Sequence, residues 1–156
     1  LSGVSVLEIK QSLSRLSARE RREVQVYLHQ LKRTTPVWKK ATAKRIRDVQ
    51  AGRSTTLEQL ESGIAVPNRL GYRVVFADAA VESFVGLPRR RPRRRQRRIL
   101  DRAQELAFDP FVVPDFRTHD ATGREISHIM TDGFIFDYWV DHAVKQVIIT
   151  EIEAID

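Results

Sequence analysis

Ile126-Ser-His-Ile-Met130-Thr-Asp-Gly133-Phe-Ile-Phe136-Asp-Tyr138-Trp-Val140 is the stretch whose reading decides the fold. Ile126, His128 and Met130 alternate before Asp132-Gly133. Phe134, Phe136, Tyr138 and Val140 alternate after it. Two period-two runs joined by Asp-Gly predict an antiparallel hairpin, because that dipeptide accepts the positive φ a tight turn demands. The β-branched run Val147 to Ile152 predicts a further strand.

Working outward, the segment between Asp109-Pro110 and Ile126 has no clear period and reads as a loop. Before it, Ile99, Leu100, Ala103, Leu106 and Ala107 recur at helical spacing, and Pro92 suits a first helical turn. Ala79 to Leu87 predicts a shorter helix with Val81, Phe84 and Val85 inward, and Tyr72, Val74 and Phe76 a strand before it. Residues 71–156 thus predict an α+β domain of order βααβββ, with a mainly antiparallel sheet and a helical hairpin on one face.

Residues 1–66 follow a different pattern, helical throughout. Val6, Ile9, Leu13 and Leu16 give one stripe; Val24, Tyr27, Leu28 and Leu31 a second, after the Ser17/Glu20 capping pair; Trp38, Ile46 and Val49 a third, closed by Gly52. Thr55 and Glu58 form another capping pair before Leu57, Leu60 and Ile64. These short stripes enclose little core, so the segment is expected to bury them against a partner or another copy of itself. Residues 67–70, with Pro67 and Asn68, form the linker.

Charge divides along the same boundary. The chain carries +7 overall; residues 1–66 hold 13 Lys and Arg against 6 Asp and Glu, and residues 71–156 hold 13 against 14. Eight of those latter 13 lie between Arg89 and Arg98, so the rest of the C-terminal domain is acidic. With no cysteine, disulfides and thiolate chemistry are excluded. No apolar run approaches the roughly 20 residues that span a bilayer, and a cytoplasmic protein without membrane contact is expected.

Tyr72-Arg-Val-Val-Phe76, Ala80-Val-Glu-Ser-Phe84-Val-Gly-Leu87-Pro88, the helix Arg97-Arg-Ile-Leu-Asp-Arg-Ala-Gln-Glu-Leu106 and Asp109-Pro110 together resemble the RelE/ParE toxin superfamily of type II toxin–antitoxin systems. Asp120-Ala-Thr-Gly123-Arg124-Glu and Tyr138-Trp-Val-Asp-His-Ala-Val-Lys-Gln-Val147 resemble a divergent branch of it. Residues 4–66, including Lys44-Arg-Ile-Arg-Asp-Val-Gln-Ala-Gly-Arg-Ser-Thr-Thr-Leu-Glu58, are similar to small helical antitoxins. The resemblance implies toxin and antitoxin in one polypeptide, meeting within one chain or swapped between chains of a homo-oligomer. It implies a target that is either mRNA on the ribosome or DNA gyrase, and an antitoxin segment that also binds operator DNA. Cleaving members carry an arginine where this chain has Ile135, and an arginine or histidine near the end of the strand Ile148-Ile-Thr-Glu-Ile-Glu153. Here Asp137, Asp141, Glu151 and Glu153 stand instead.

A metal-independent endoribonuclease would need imidazoles for proton transfer and cations on phosphate, which makes Arg124, His119, His128 and Arg117 the candidate catalytic group. Arg94, Arg95 and Arg98, with Lys44, Arg45 and Arg47, are candidates for contact with nucleic acid or target. Leu57, Leu60 and Ile64 are the expected antitoxin–toxin interface. No His and carboxylate set has metal-ligand spacing, and no cofactor motif occurs. A non-toxic basic scaffold that binds nucleic acid through both segments is the competing reading.

Overall fold

A computed structural model of the chain describes residues 3–61, 71–87, 92–131 and 133–155. The elements are α1 (Val6–Ser14), α2 (Ala18–Lys32), α3 (Pro36–Gln50), β1 (Thr55–Thr56), α4 (Leu57–Leu60), β2 (Arg73–Phe76), α5 (Asp78–Val85), α6 (Pro92–Phe108), β3 (Phe116–His119), β4 (Glu125–Thr131), β5 (Phe134–Asp141) and β6 (Gln146–Ala154). The fold is α+β around one mixed sheet of order β1-β2-β6-β5-β4-β3. Only β2 and β6 run parallel among the described pairings.

Both faces of the sheet are covered, which the alternation along each strand makes possible. Val74, Phe76, Phe136, Tyr138, Val147 and Ile149 point to one side, where Phe84 of α5, Ile99 and Leu106 of α6 and Leu57 of α4 pack on them. Val75, Ile126 and Ile148 point to the other side and meet Trp38, Ile46 and Val49 of α3. Beside them Phe116, Met130 and Ile135 pack with Val26 of α2.

Three local readings change. Phe116–His119 is a strand, paired with β4 from Phe116 opposite His128 to His119 opposite Glu125, so the C-terminal order is βααββββ. Its two inward residues are too few to stand out from the charged and polar Arg117 and His119 between and beside them. Thr55–Thr56 adds an edge strand to β2, and the helix cap there is Thr56, in a capping box with Gln59, one residue later than Thr55/Glu58. Third, α2 does not dock by its apolar stripe: Tyr27, Leu28 and Leu31 are exposed, while Val26, His29, Gln30 and Arg33 turn inward. α1 buries none of its residues.

Among the described glycines with positive φ are Gly52 after α3 (φ 94°) and Gly133 between β4 and β5 (φ 81°). No helix among the described residues is long and apolar enough to cross a membrane.

Candidate functional site

At the centre of the face under α2 and α3 lies a buried polar network. β5 and β6 pair with a register shift between Asp137 and Tyr138, so that Asp137 lies opposite Glu151 and Tyr138 opposite Ile149. Thr150 is the extra residue, and its hydroxyl donates to the Asp137 carbonyl at 3.1 Å. The bulge keeps Ile149 and Ile152 in the core under α5 and α6 while aiming Glu151 and Glu153 at the opposite helices.

Asp137 accepts from His128, whose Nδ1 is 2.7 Å from Oδ1, and His128 Nε2 lies 2.7 Å from the Thr118 hydroxyl. Phe116 stacks on the imidazole with ring centroids 4.4 Å apart, and the Trp38 ring lies 5.7 Å away. Arg33, which caps the C-terminus of α2, enters from above. Its Nε donates to both Asp137 oxygens at 2.9 and 3.1 Å, its Nη2 to Glu153 Oε2 at 2.9 Å and its Nη1 to the His29 carbonyl at 3.2 Å. Arg33, Asp137 and His128 are each 0% exposed.

Burial of a guanidinium opposes its charge, but the adjoining Asp137 carboxylate, with the hydrogen bonds that Arg33 donates to Asp137 and Glu153, outweighs that cost and raises the Arg33 pKa. Burial likewise works against Glu153, and hydrogen bonds from Lys32 and Arg33 overcome it, holding its carboxyl below the ordinary value. His29 is lowered, chiefly by burial. Further pairs flank the network: Lys32 with Glu153 at 3.0 Å, Arg45 with Glu151 at 3.2 Å and Arg22 with Asp115 at 3.5 Å. Basic residues of the N-terminal segment thus meet the acidic residues of the sheet.

The four candidate catalytic residues do not converge. His128 is in the network. Arg117 and His119 are exposed on β3 at positions alternate to Phe116 and Thr118, and Arg117 pairs with Glu125 at 3.0 Å. Arg124 closes the turn from β3 to β4. Its guanidinium bonds Asp120 at 3.2 Å and lies 5.1 Å over the Trp139 ring. Asp120 is buried, which disfavours its charge, yet bonds from Thr122 and Arg124 lower its pKa all the same.

Of the candidate contact residues, Lys44 pairs with Asp48 and Arg45 with Glu151, while Arg47 is exposed. Arg94 and Arg98 are exposed on α6, and Arg95 lies 6.0 Å over the Phe134 ring. Leu57 is buried in the core beneath α6, with Leu60 packed against it; Ile64 lies outside the described residues. Among the described residues no cluster of His and carboxylates could hold a metal.

The sequence reading passed over Arg33 and Thr118 and took Asp137 and Glu153 only as departures from a family pattern. The available signal was complementarity: an acidic strand pair downstream of a segment with net +7.

No protein-family model matches the chain, and no curated protein does. Among solved structures, a chain from the RelBE2 toxin–antitoxin complex of Mycobacterium tuberculosis is similar at 17% identity, with a TM-score of 0.46, over 55% of this chain and 99% of that one. At that distance the likeness assigns neither a family nor an activity.

Proposed function

We propose that the chain is a self-inhibited toxin–antitoxin module, in which residues 71–156 are a RelE/ParE-like growth-arresting domain and residues 1–66 its antitoxin-like inhibitor. The observation that carries this reading is the seating of Arg33, a side chain of the helical segment, at 0% exposure on Asp137 at the centre of the sheet. A segment that inhibits must withhold something. What α2 and α3 cover is the face holding His128, Asp137, Glu151 and Glu153, whereas Arg94 and Arg98 of α6 stay exposed in the inhibited chain.

The withheld face favours a protein target over RNA. Phosphate brought to it would meet Asp137, Glu151 and Glu153, and the position where cleaving relatives carry an arginine is Ile135, buried against Phe116 and Met130. His128 offers an imidazole for proton transfer, but stabilising a transition state richer in negative charge needs cations, and those nearest come from the inhibitor itself. On this reading the domain acts by docking, as in the gyrase-binding branch of the superfamily it resembles.

Inducing residues 71–156 in bacteria while labelling translation and DNA replication separately tests the assignment. Loss of replication first supports a docking toxin; loss of translation first supports RNA cleavage and overturns the preference for a protein target; continued growth supports the scaffold reading. Exposed Arg47 and the net charge of residues 1–66 also support operator binding, expected as retardation of promoter DNA by the full chain that weakens steeply with salt.

A further inference from the structure

We infer that the face under α2 is a guanidinium-binding site, which Arg33 fills in the inhibited chain and an arginine of a basic partner protein fills once that segment lifts. This rests on the self-inhibition reading and adds the chemistry of the partner.

The site is built for the planar fork of a guanidinium and not for a point charge. Nε reaches both oxygens of Asp137, Nη2 reaches Glu153 and Nη1 reaches a backbone carbonyl, so each guanidinium nitrogen is engaged, in three directions within one plane. An ammonium has no such directional set. The Asp137 carboxylate is held before any ligand arrives. Asp137 is fixed by His128 at 2.7 Å, His128 by Thr118, and the bulge at Thr150 sets where the Asp137 and Glu153 side chains emerge. Of the polar groups bonded to the Arg33 guanidinium, only the His29 carbonyl comes from its own helix; Asp137 and Glu153 belong to residues 71–156 and remain when the helix leaves.

A face with two such carboxylates cannot be covered without a counter-charge, since Asp137 is fully buried once covered and Glu151 adds a third negative charge beside it. The exposed cations Arg94 and Arg98 do not compete for the site, as they lie on α6, across the sheet. A partner that replaces α2 must therefore supply a cation with the same fork. That identifies the ligand as an arginine side chain on a basic protein surface.

Chemical rescue tests the site in the full chain. Arg33→Ala should melt earlier, and methylguanidinium at ten times its Kd should restore about 3–5 °C, while methylammonium restores none and wild type is indifferent to both. If the variant does not fold unaided, recovery of a melting transition by methylguanidinium alone is the same positive result. Arg33→Ala/Asp137→Ala should lose the rescue. Equal effects of the two cations, or rescue that survives loss of Asp137, overturn the proposal. A growth assay separates it from the reading beneath it: Arg33→Ala should arrest growth and Arg33→Ala/Glu153→Gln should not. Arrest by both keeps self-inhibition and rejects the arginine-bearing partner; arrest by neither rejects self-inhibition.

Discussion

Arg33 is the residue on which the two halves of the chain depend. Removing one member of a buried ion pair typically costs about 3–5 kcal/mol, because the remaining charge stays desolvated, whereas exchanging the whole pair for apolar groups is often neutral. Arg33→Met should therefore lower stability by that order, and adding Asp137→Leu should return part of the loss; thermal melting of the two variants decides it. Acid should act through the neighbouring carboxyl. Glu153 has a folded pKa below its ordinary 4.5, so its contribution is complete above 4.5 and is lost as pH falls towards the lower folded value. His29, lowered from 6.5, works in the same direction in a higher window, since protonation favours the unfolded chain there. Glu153→Gln should flatten the acid limb of a stability curve below 4.5; an unchanged limb would place the acid sensitivity elsewhere, at Asp120 for example.

At the scale of elements, the helices of the N-terminal segment contribute unequally. α1 buries nothing, so deleting residues 1–15 should leave the melting temperature where it is. Leu57 of α4, by contrast, sits in the core with Val74 and Leu106, and Leu57→Ala should cost about 2–4 kcal/mol. Equal losses from both changes would contradict the packing described. The same inequality explains what the sequence disclosed. The hairpin Ile126 to Val140 was legible because its runs alternate on either side of Asp132-Gly133, and the strand Val147 to Ile152 because its β-branched residues run together. The helix of Ile99 to Ala107 was legible because its stripe is wide. The inward face of α2 was not, because it docks through Arg33 and its pairs with Asp137 and Glu153, and periodicity of apolar residues carries no information about a polar interface. β3 escaped because an edge strand with two inward residues has almost no pattern to detect. The candidate site was half legible: His128 stood out as a histidine in a strand, but only the third dimension brings Thr118, Asp137 and Arg33 to it.

Across the whole molecule, charge and topology tell one story. A basic helical segment covers one face of the sheet through ion pairs to Asp137, Glu151 and Glu153 and the apolar contacts of α3, and the helical hairpin of residues 71–156, with Leu57 of α4, covers the other face chiefly with apolar contacts. The first face carries, beside the apolar contacts of α3, a buried ion-pair network whose groups a competing ligand can satisfy, and the second is held by a core that no soluble ligand replaces. That difference is what a releasable inhibitor needs. The direct measurement is colony formation after induction of residues 71–156, alone and with residues 1–66 supplied as a separate chain. Arrest by 71–156 alone, growth restored by the added segment, and arrest again when that segment carries Arg33→Glu are the expected results. Undiminished growth on residues 71–156 alone, or restoration as complete with Arg33→Glu as without it, would contradict inhibition through this face.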